Sequence, residues 1–385
     1  MRGTGVGALA AVVVLTLSAG SPAAAQSNFW TFGERTIPMG MTPSGDSFLY
    51  RSADDQLIRW HAATQTGEVA WPSIPFFGPD CVSADLGSMV GHMPFGSLSS
   101  APTRWRPATG YQQLMQAYGW ATAVSGDGQA VTGTLIRERG AHAFRWTAAT
   151  GGTLLADLPA ANVVASEANQ ISRDGSTIAG FNAVVTGNLY TQVPTVWRNG
   201  TPQALSYPPE ASLASIHRLS ADGQRAVGAN FRSDPGLPPV IARMLFWDAA
   251  NQYEIINLPD GWRNIEILGG TADLSTVVGT LISASENRGF LWRRDLGFVL
   301  ADDLLATIGV TRPDWEFNDI RSISDDGRTI VGTARLVIGN PFQEEIAWVA
   351  TIPTPGAAAL LTLAGLWTAR RRRGAAGTPN QSPEA

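Results

Sequence analysis

The stretch VSGDGQAVTG, residues 124–133, contains the pattern that decides the fold of this chain. Two short apolar runs flank Asp127 and Gly128, and the aspartate stands six residues before Gly133. Because Asp-Gly supplies the positive φ angles that a tight primed turn requires, the stretch predicts a β-hairpin. The aspartate is interpreted as structural, since its side chain can hydrogen-bond to the backbone of its own turn.

This hairpin pattern recurs along most of the chain. The six full copies are VSADLGSMVG (82–91), VSGDGQAVTG (124–133), ISRDGSTIAG (171–180), LSADGQRAVG (219–228), GTADLSTVVG (270–279) and ISDDGRTIVG (323–332). A degenerate first copy, MTPSGDSFLY (41–50), has Ser44 at the aspartate position and Tyr50 at the glycine position. We number the resulting units repeats one to seven.

A tryptophan follows each hairpin at the end of a short apolar run. The seven tryptophans are Trp60, Trp105, Trp146, Trp197, Trp247, Trp292 and Trp348, at intervals of 41 to 56 residues. After each of the first six come a polar turn and another short apolar run, so a unit has four predicted strands and no helical period. The arginines beside these tryptophans are interpreted as exposed strand residues.

Units of this length and content predict an all-β, seven-bladed β-propeller of four-stranded blades. The last unit lacks a fourth strand, whereas the segment 28–38 precedes the first hairpin and has no unit of its own. Pairing this N-terminal strand into the last blade would close the ring. Another β-repeat solenoid is the structural alternative.

Both termini have the composition of targeting segments. Arg2, an apolar stretch to Ala19 and the small residues 23–25 predict a secretory signal peptide over residues 1–25. The repeats then occupy 26–350, a sorting or transmembrane segment 351–373, and a disordered tail 374–385. We therefore expect export through the inner membrane, to the cell surface, the extracellular matrix or the medium.

Charge narrows the classes of partner. The segment 26–350 has 22 basic and 31 acidic residues, a net charge of about −9. This acidity argues against nucleic acid and against anionic lipid as partners. Membrane contact is expected only through the C-terminal segment.

The C-terminal segment combines a proline pair, a short apolar run and an arginine cluster. The residues are Pro353, Thr354, Pro355, Arg370, Arg371, Arg372 and Arg373. This arrangement resembles a PEP-CTERM sorting signal, with Thr354 where that family usually has glutamate. The resemblance implies an exosortase-like sorting enzyme as a partner.

The repeats resemble the HAF family of extracellular repeats, named for a His-Ala-Phe motif. This chain carries that motif as His142, Ala143 and Phe144, directly before Arg145 and Trp146. The similarity extends over about residues 40–350. Membership would imply a secreted, propeller-like protein without an established catalytic activity.

Few residues point to a specific chemistry. The four histidines lie in four different repeats without metal-ligand spacing, and phosphate-binding and nucleophile-elbow motifs are lacking. We therefore expect no metal, no cofactor and no catalytic residue. Aromatic residues outside the repeat motif remain, with acidic neighbours: Trp71, Trp262, Trp315, Asp260 and Asp314.

An aromatic surface flanked by carboxylates suits a polyhydroxylated ligand, so these five residues are candidates for stacking on sugar rings. The alternative is that the three tryptophans cap the hydrophobic ends of their blades. The leading functional hypothesis is a non-enzymatic, surface-associated binding or adhesion platform for an extracellular glycan or a surface protein. A secreted hydrolase or lyase acting on polysaccharide, and a purely structural envelope component, are the alternatives.

Overall fold

The computed structural model describes residues 28–352, apart from 72–80, 139, 160–161, 188, 210–212, 232–241 and 338–344. Within these residues the fold is an all-β propeller, in which successive antiparallel sheets surround a central axis. The predicted signal peptide and the predicted sorting signal lie outside the described residues.

The first three repeats follow the N-terminal strand β1 (Phe29–Glu34). Repeat one contains β2 (Ile37–Met41), β3 (Ser47–Arg51), β4 (Leu57–His61) and β5 (Thr66–Trp71). Repeat two contains β6 (Met89–Phe95), β7 (Leu98–Arg106) and β8 (Gly110–Gln113), and repeat three contains β9 (Gly119–Val124), β10 (Ala130–Arg137), β11 (Gly140–Thr147) and β12 (Gly151–Leu154).

Repeats four and five share one eight-stranded sheet. Repeat four contains β13 (Val163–Ile171), β14 (Thr177–Thr186), β15 (Leu189–Arg198) and β16 (Thr201–Ala204), and repeat five contains β17 (Leu213–Leu219), β18 (Ala226–Phe231), β19 (Arg243–Trp247) and β20 (Tyr253–Asn257). Each set is an antiparallel meander, and a single parallel pair, Gln192 with Leu213, joins the two.

Repeats six and seven complete the ring. Repeat six contains β21 (Asn264–Gly270), β22 (Thr276–Ile282), β23 (Asn287–Arg293) and β24 (Gly297–Leu300), followed by helix α1 (Ala301–Ala306). Repeat seven contains β25 (Trp315–Ile323), β26 (Thr329–Leu336) and β27 (Ile346–Thr351). The helix was not predicted; its buried face, Leu304 and Leu305, packs into the cluster that joins these two repeats.

The prediction of seven separate four-stranded blades is wrong in this form. The described strands form four four-stranded sheets, one eight-stranded sheet and one three-stranded sheet. In repeat two the described residues before β6 contribute one isolated bridge, between Val82 and Met89. The parallel pair between repeats four and five merges two meanders into one sheet.

The N-terminal strand closes the ring, as predicted from the missing fourth strand of repeat seven. Strand β1 pairs antiparallel with β27, with Trp30 opposite Val349. Its side chains reach repeat one, where the Phe32 ring centroid lies 5.1 Å from that of Phe48 and 5.7 Å from that of Trp60. The two ends of the repeat array therefore meet, which a solenoid would not require.

The hairpin turns have one hydrogen-bond arrangement in six repeats. In repeat three the Ser125 hydroxyl donates to Asp127 Oδ1, the N–H of Gln129 donates to the same oxygen, and the N–H of Ala130 donates to Ser125 Oγ. The same three bonds are present in repeats two, four, five, six and seven. The repeated aspartates are thus bonded within their own turns.

The turn type differs from the prediction. The N–H of Gly128 donates to the carbonyl of Ser125, which closes a four-residue turn, and of these residues only Gly128 has positive φ, at 70°. A primed turn needs positive φ at its first central residue. Leu86 and Leu274 adopt the same left-handed conformation at the equivalent position, so glycine is favoured there but not required.

The second glycine of the motif faces the backbone of the preceding strand. A Cβ at Gly180, Gly228 or Gly279 would lie 1.9 Å from a carbonyl oxygen of the first strand, that of the residue just before the one paired with the glycine. In these three repeats the first strand carries a register shift next to that position, as expected for a β-bulge. The six-residue spacing between aspartate and glycine therefore reflects two requirements. The aspartate stabilises the turn, and the glycine allows the two strands to approach closely.

The turns meet around the axis through a chain of backbone hydrogen bonds. In repeats two to five and in repeat seven, the residue before the aspartate donates its N–H to the carbonyl of its counterpart in the next repeat around the ring. The bonds observed are Ala84 to Gly126, Gly126 to Arg173, Arg173 to Ala221, Ala221 to Ala272, and Asp325 to Pro43. We call the side of the molecule that carries these turns the turn face, and the other side the opposite face.

The motif tryptophans form the core between repeats. Each lies on the third strand of its repeat, and all except Trp105 are at most 5% exposed. The indole N–H of Trp197 donates to the carbonyl of Ala156 at 2.6 Å, and that of Trp247 donates to Ser206 at 2.6 Å. Since both carbonyls belong to the connection leaving the preceding repeat, these tryptophans also hold adjacent repeats together.

Candidate functional site

The five predicted platform residues lie in repeats one, six and seven, in segments at the opposite face. Trp71 is the last residue of β5. Trp262 precedes β21 and packs against the hydrophobic cluster of repeats five and six, whereas Trp315 begins β25 and packs against the cluster of repeats six and seven. Both rings are half-buried. Asp260 is exposed, and Asp314 is half-buried beside Trp315.

The arginines beside the motif tryptophans do not behave as predicted. In four successive repeats, an arginine donates to the turn carbonyl of the next repeat, at the residue that follows the aspartate. The pairs are Arg59 with Leu86 (2.9 Å), Arg104 with Gly128 (3.1 Å), Arg145 with Gly175 (3.3 Å) and Arg198 with Gly223 (3.3 Å). We call these contacts the arginine latches.

The latch of Arg104 is the most enclosed of the four. Its side chain is only 6% exposed, and its guanidinium carbon lies 4.6 Å from the ring centroid of Trp146. Burial lowers the pKa of Arg104, and the neighbouring charge of Arg106 lowers it further. A second bond, to Gln112 at 2.7 Å, fixes the guanidinium in place. The sequence feature shared by the four latches is an arginine directly before or after the motif tryptophan.

Repeats five and six do not show the latch contact from the residues beside their motif tryptophans. The neighbours of Trp247 are Phe246 and Asp248. Beside Trp292, Arg293 forms two bonds to Asp295 of its own hairpin, at 3.0 and 2.8 Å. These residues therefore donate no latch hydrogen bond to the turns of repeats six and seven.

A cleft of about 840 Å³ lies at these positions, on the turn face. Its walls include Phe246, Leu291 and Trp292 from the third strands, and Leu274 and Gly327 from the turns of repeats six and seven. Leu274 and Gly327 occupy the turn position that accepts the latch in repeats two to five. A cleft of this size lies within the usual range for ligand pockets.

Charged and aromatic groups surround the cleft. Arg294 forms an ion pair with Glu254 at 2.6 Å, and its guanidinium carbon lies 5.7 Å from the ring centroid of Phe246. The side chains of Arg294 and Glu254 are 64% and 45% exposed, so this pair is solvated and adds little to folding stability. Half-buried Tyr253 also lines the cleft.

A smaller cavity of about 220 Å³ lies on the axis and is lined by the first strands of the repeats. At the turn face, Arg173 of repeat four makes a bidentate contact with Asp325 of repeat seven, at 2.8 and 2.9 Å. Arg218 from repeat five also lines this cavity and donates to the carbonyls of His217 and Leu268.

His217 lies beside this cavity in a desolvated environment. Its Nε2 is 2.8 Å from the hydroxyl of Ser215, and the N–H of Ile267 donates to Nδ1 at 3.4 Å. Burial lowers the pKa of His217 from 6.5 to about 4, and the positive charge of Arg218 contributes to the same shift. The ring is therefore neutral at neutral pH.

This pKa predicts a specific loss of stability in weak acid. Because the folded pKa lies below the unfolded one, the unfolded chain binds the proton first, and stability falls as the pH drops from 6.5 toward 4. The expected contribution is up to about 3 kcal/mol. Urea unfolding of the full-length chain at pH 7 and pH 4.5 measures the decline. The decline in the free energy of unfolding should be smaller in His217→Asn and unchanged in His61→Asn. An equal decline in both variants would show that His217 is not its source.

Among the residues that the structure describes, no three His, Cys, Asp or Glu side chains are grouped so that they could hold a metal ion. In the same part of the chain, no helix has the length and apolar character needed to cross a membrane. The predicted C-terminal segment lies outside that part.

No protein-family model matches the chain, and no curated protein matches it either. Among solved structures, the chain is similar to an oligogalacturonate lyase from Vibrio parahaemolyticus, with 11% identity and a TM-score of 0.56 over 85% of this chain and 97% of the other. An oligogalacturonate lyase in complex with manganese gives 13% identity and a TM-score of 0.54, over 84% and 96% of the two chains.

The β-propeller domain of the Trilobed protease from Pyrococcus furiosus is also similar. The identity is 8% and the TM-score 0.51, over 83% of this chain and 93% of the other. At such low identities these similarities establish the β-propeller fold alone.

Proposed function

We propose that this protein is an exported, non-enzymatic binding platform, in which a rigid propeller holds a surface protein or an extracellular glycan. The cleft at repeats five to seven is the observation that carries this proposal. It occurs where Phe246 and Asp248 flank the tryptophan of repeat five, and where Arg293 of repeat six pairs within its own hairpin and not with the next turn. Aromatic walls with charged groups at the rim suit the recognition of a polar partner.

The opposite face supplies a second surface for the same function. We propose that Trp71, Trp262 and Trp315, with Asp260 and Asp314, contact sugar rings there. Half-burial of Trp262 and Trp315 leaves part of each ring to solvent. Partly exposed indoles beside carboxylates support contact with a polyhydroxylated ligand.

Export and anchoring belong to the same proposal. The signal peptide of residues 1–25 would direct the chain out of the cytoplasm, and the PEP-CTERM-like segment 351–373 would be read by an exosortase-like enzyme. Resemblance of the repeats to the HAF family supports an extracellular location. No nucleic acid partner is proposed, because the segment 26–350 is acidic.

The number of blades is also part of this proposal. We infer seven structural repeats around the axis, with the eight-stranded sheet counted as two blades. Seven hairpin copies in the sequence support this count, as does the chain of turn-to-turn hydrogen bonds, in which all seven copies take part.

We expect the double substitution Tyr253→Ala and Arg294→Ala to weaken partner binding by at least about tenfold. It removes an aromatic wall and a rim charge and leaves all motif tryptophans in place, and the few interface residues that dominate binding are enriched in tyrosine and arginine. Binding is measured on the full-length chain with a glycan array and with pull-down from an envelope fraction. Polysaccharide turnover is assayed in parallel.

The triple variant Trp71→Ala, Trp262→Ala and Trp315→Ala serves as the matched comparison on the opposite face. Loss of protein capture only in the cleft variant supports the cleft, and loss of glycan binding only in the triple variant supports the second surface. Turnover of a polysaccharide would show that the protein is a hydrolase or lyase and not a non-enzymatic platform. If no glycan and no protein binds, a purely structural role in the envelope would be favoured.

A further inference from the structure

An ion pair crosses the axis of the ring at the turn face. The Arg173 guanidinium of repeat four donates to both carboxylate oxygens of Asp325 in repeat seven, at 2.8 and 2.9 Å. Because these repeats are three steps apart around the ring, the two side chains bridge turns on nearly opposite sides of the axis. Both residues also line the axial cavity of about 220 Å³. The ion pair therefore spans the turn-face end of this cavity.

The other turns have short side chains at this level of the axis. Arg173 and Asp325 stand directly before the aspartate position of their hairpins. The five remaining repeats have small, uncharged residues there, namely Pro43, Ala84, Gly126, Ala221 and Ala272. A Cβ at Gly126 would lie 2.4 Å from the Cγ of Arg173, so the absence of a side chain at Gly126 leaves room for the arginine to cross. Arg173 and Asp325 thus supply the long side chains that close this end of the cavity.

The ion pair can open without disturbing the fold. The N–H of Arg173 donates to the carbonyl of Ala221 at 3.1 Å, and the N–H of Asp325 donates to that of Pro43 at 2.7 Å, so both turns are held by their backbones. The two side chains are 40% and 32% exposed. Ion pairs with this exposure add little to folding stability and are weakened by salt. Such a contact suits a closure that opens and shuts better than it suits a structural staple.

The cavity behind the ion pair has polar groups in its wall. Gln170, Arg218 and Arg321 line it, together with Met39 and Met41. A polar cavity of this volume has room for several water molecules. We propose that Arg173 and Asp325 form a salt-sensitive gate, which admits water and small polar solutes to the axial cavity from the turn face. The gate is separate from the partner binding proposed above and does not depend on it.

Oxidation of methionine by hydrogen peroxide measures access to the cavity in the full-length chain, with mass spectrometry of peptides as the readout. Met39 is 5% exposed and lines the cavity. Arg173→Ala installs the residue that repeats two, five and six have at this position, and should speed oxidation of Met39 about fivefold at about 0.1 M salt. Gly126→Ala keeps both charges but displaces the Arg173 side chain, so the same increase is expected.

Salt provides a measurement that needs no variant. Raising the salt concentration from about 0.1 M to about 1 M should speed oxidation of Met39 in the unmodified chain, because the ion pair is screened. The same change should have no effect in Arg173→Ala, where the gate is already open. An equal salt effect in both chains would overturn the proposal.

Two controls separate opening of the gate from loosening of the fold. Met89 and Met244 are fully buried in the clusters of their repeats and do not line the cavity, so their oxidation should be unchanged in every variant. Arg335→Ala removes an ion-paired arginine outside the cavity and should leave Met39 unchanged. Faster oxidation of Met89 and Met244 together with Met39 would overturn the proposal, as would equal rates for Met39 in Arg173→Ala and the unmodified chain.

Discussion

Replacing Trp30 and Phe32 with alanine is expected to lower the free energy of unfolding by about 5 kcal/mol. Both rings belong to β1, which supplies the last strand of repeat seven, and both pack against repeat one. Trp30 lies 5.5 Å from Trp60 between ring centroids. Their removal leaves a cavity where β1 packs against repeat one, so the loss exceeds that of a single core truncation. Urea unfolding of the full-length chain, followed by tryptophan fluorescence, gives the value.

The matched control is Tyr190→Ala. This tyrosine is a strand aromatic that is 47% exposed, so its loss should change the free energy of unfolding by less than about 0.5 kcal/mol. A double variant that unfolds at the same urea concentration as the unmodified chain would show that β1 does not close the ring.

The second large effect is expected at the glycine that ends the hairpin motif. A Cβ at Gly180 would lie 1.9 Å from the carbonyl oxygen of Glu167 and 2.9 Å from the Cα of Ala168. These are backbone atoms and cannot move aside by a rotamer change. Gly180→Val should therefore cost about 3 kcal/mol or more, through displacement of β13 from β14. Thermal or urea unfolding measures this cost.

Gly187→Ala is the comparison for this glycine. At Gly187 nothing lies within 4 Å of an added Cβ, and the φ of 60° is the only obstacle. Its expected cost is about 1 kcal/mol. If both substitutions cost the same, the motif glycine would be explained by backbone conformation and not by close approach of two strands.

The propeller could be predicted from the sequence because its determinants are local and repeated. In six turns the serine or threonine and the aspartate bond to each other and to the backbone of the same turn, and the motif glycine lies against the backbone of the adjacent strand. The missing strand of repeat seven also predicted the role of β1, since an unpaired sheet edge has few other solutions. The spacing of the tryptophans predicted the repeat length. It did not predict that repeats four and five share one sheet, because that depends on a single parallel pair, Gln192 with Leu213.

The candidate site was less accessible to sequence reasoning. An arginine beside a tryptophan on a strand has the pattern of a solvated residue, and only the contact between neighbouring repeats identifies Arg104 as a latch. The cleft is lined by Phe246 and Leu291, which precede the tryptophans of repeats five and six. Three earlier repeats have a latch arginine at this position, so the difference can be interpreted only after the latch has been seen in the structure. Trp71, Trp262 and Trp315 were chosen because they lie outside the repeat motif and have acidic neighbours, and their role as a sugar-binding platform stays a prediction for the opposite face.

If the partner binds in the cleft on the turn face, binding should slow amide hydrogen exchange there. Exchange of the full-length chain is measured with and without the partner captured from the envelope fraction. We predict slower exchange on binding in residues 246–254 and 291–299, which form the cleft walls, and unchanged exchange in 258–264 and 310–316. Protection confined to 258–264 and 310–316 would assign binding to the opposite face and contradict the claim.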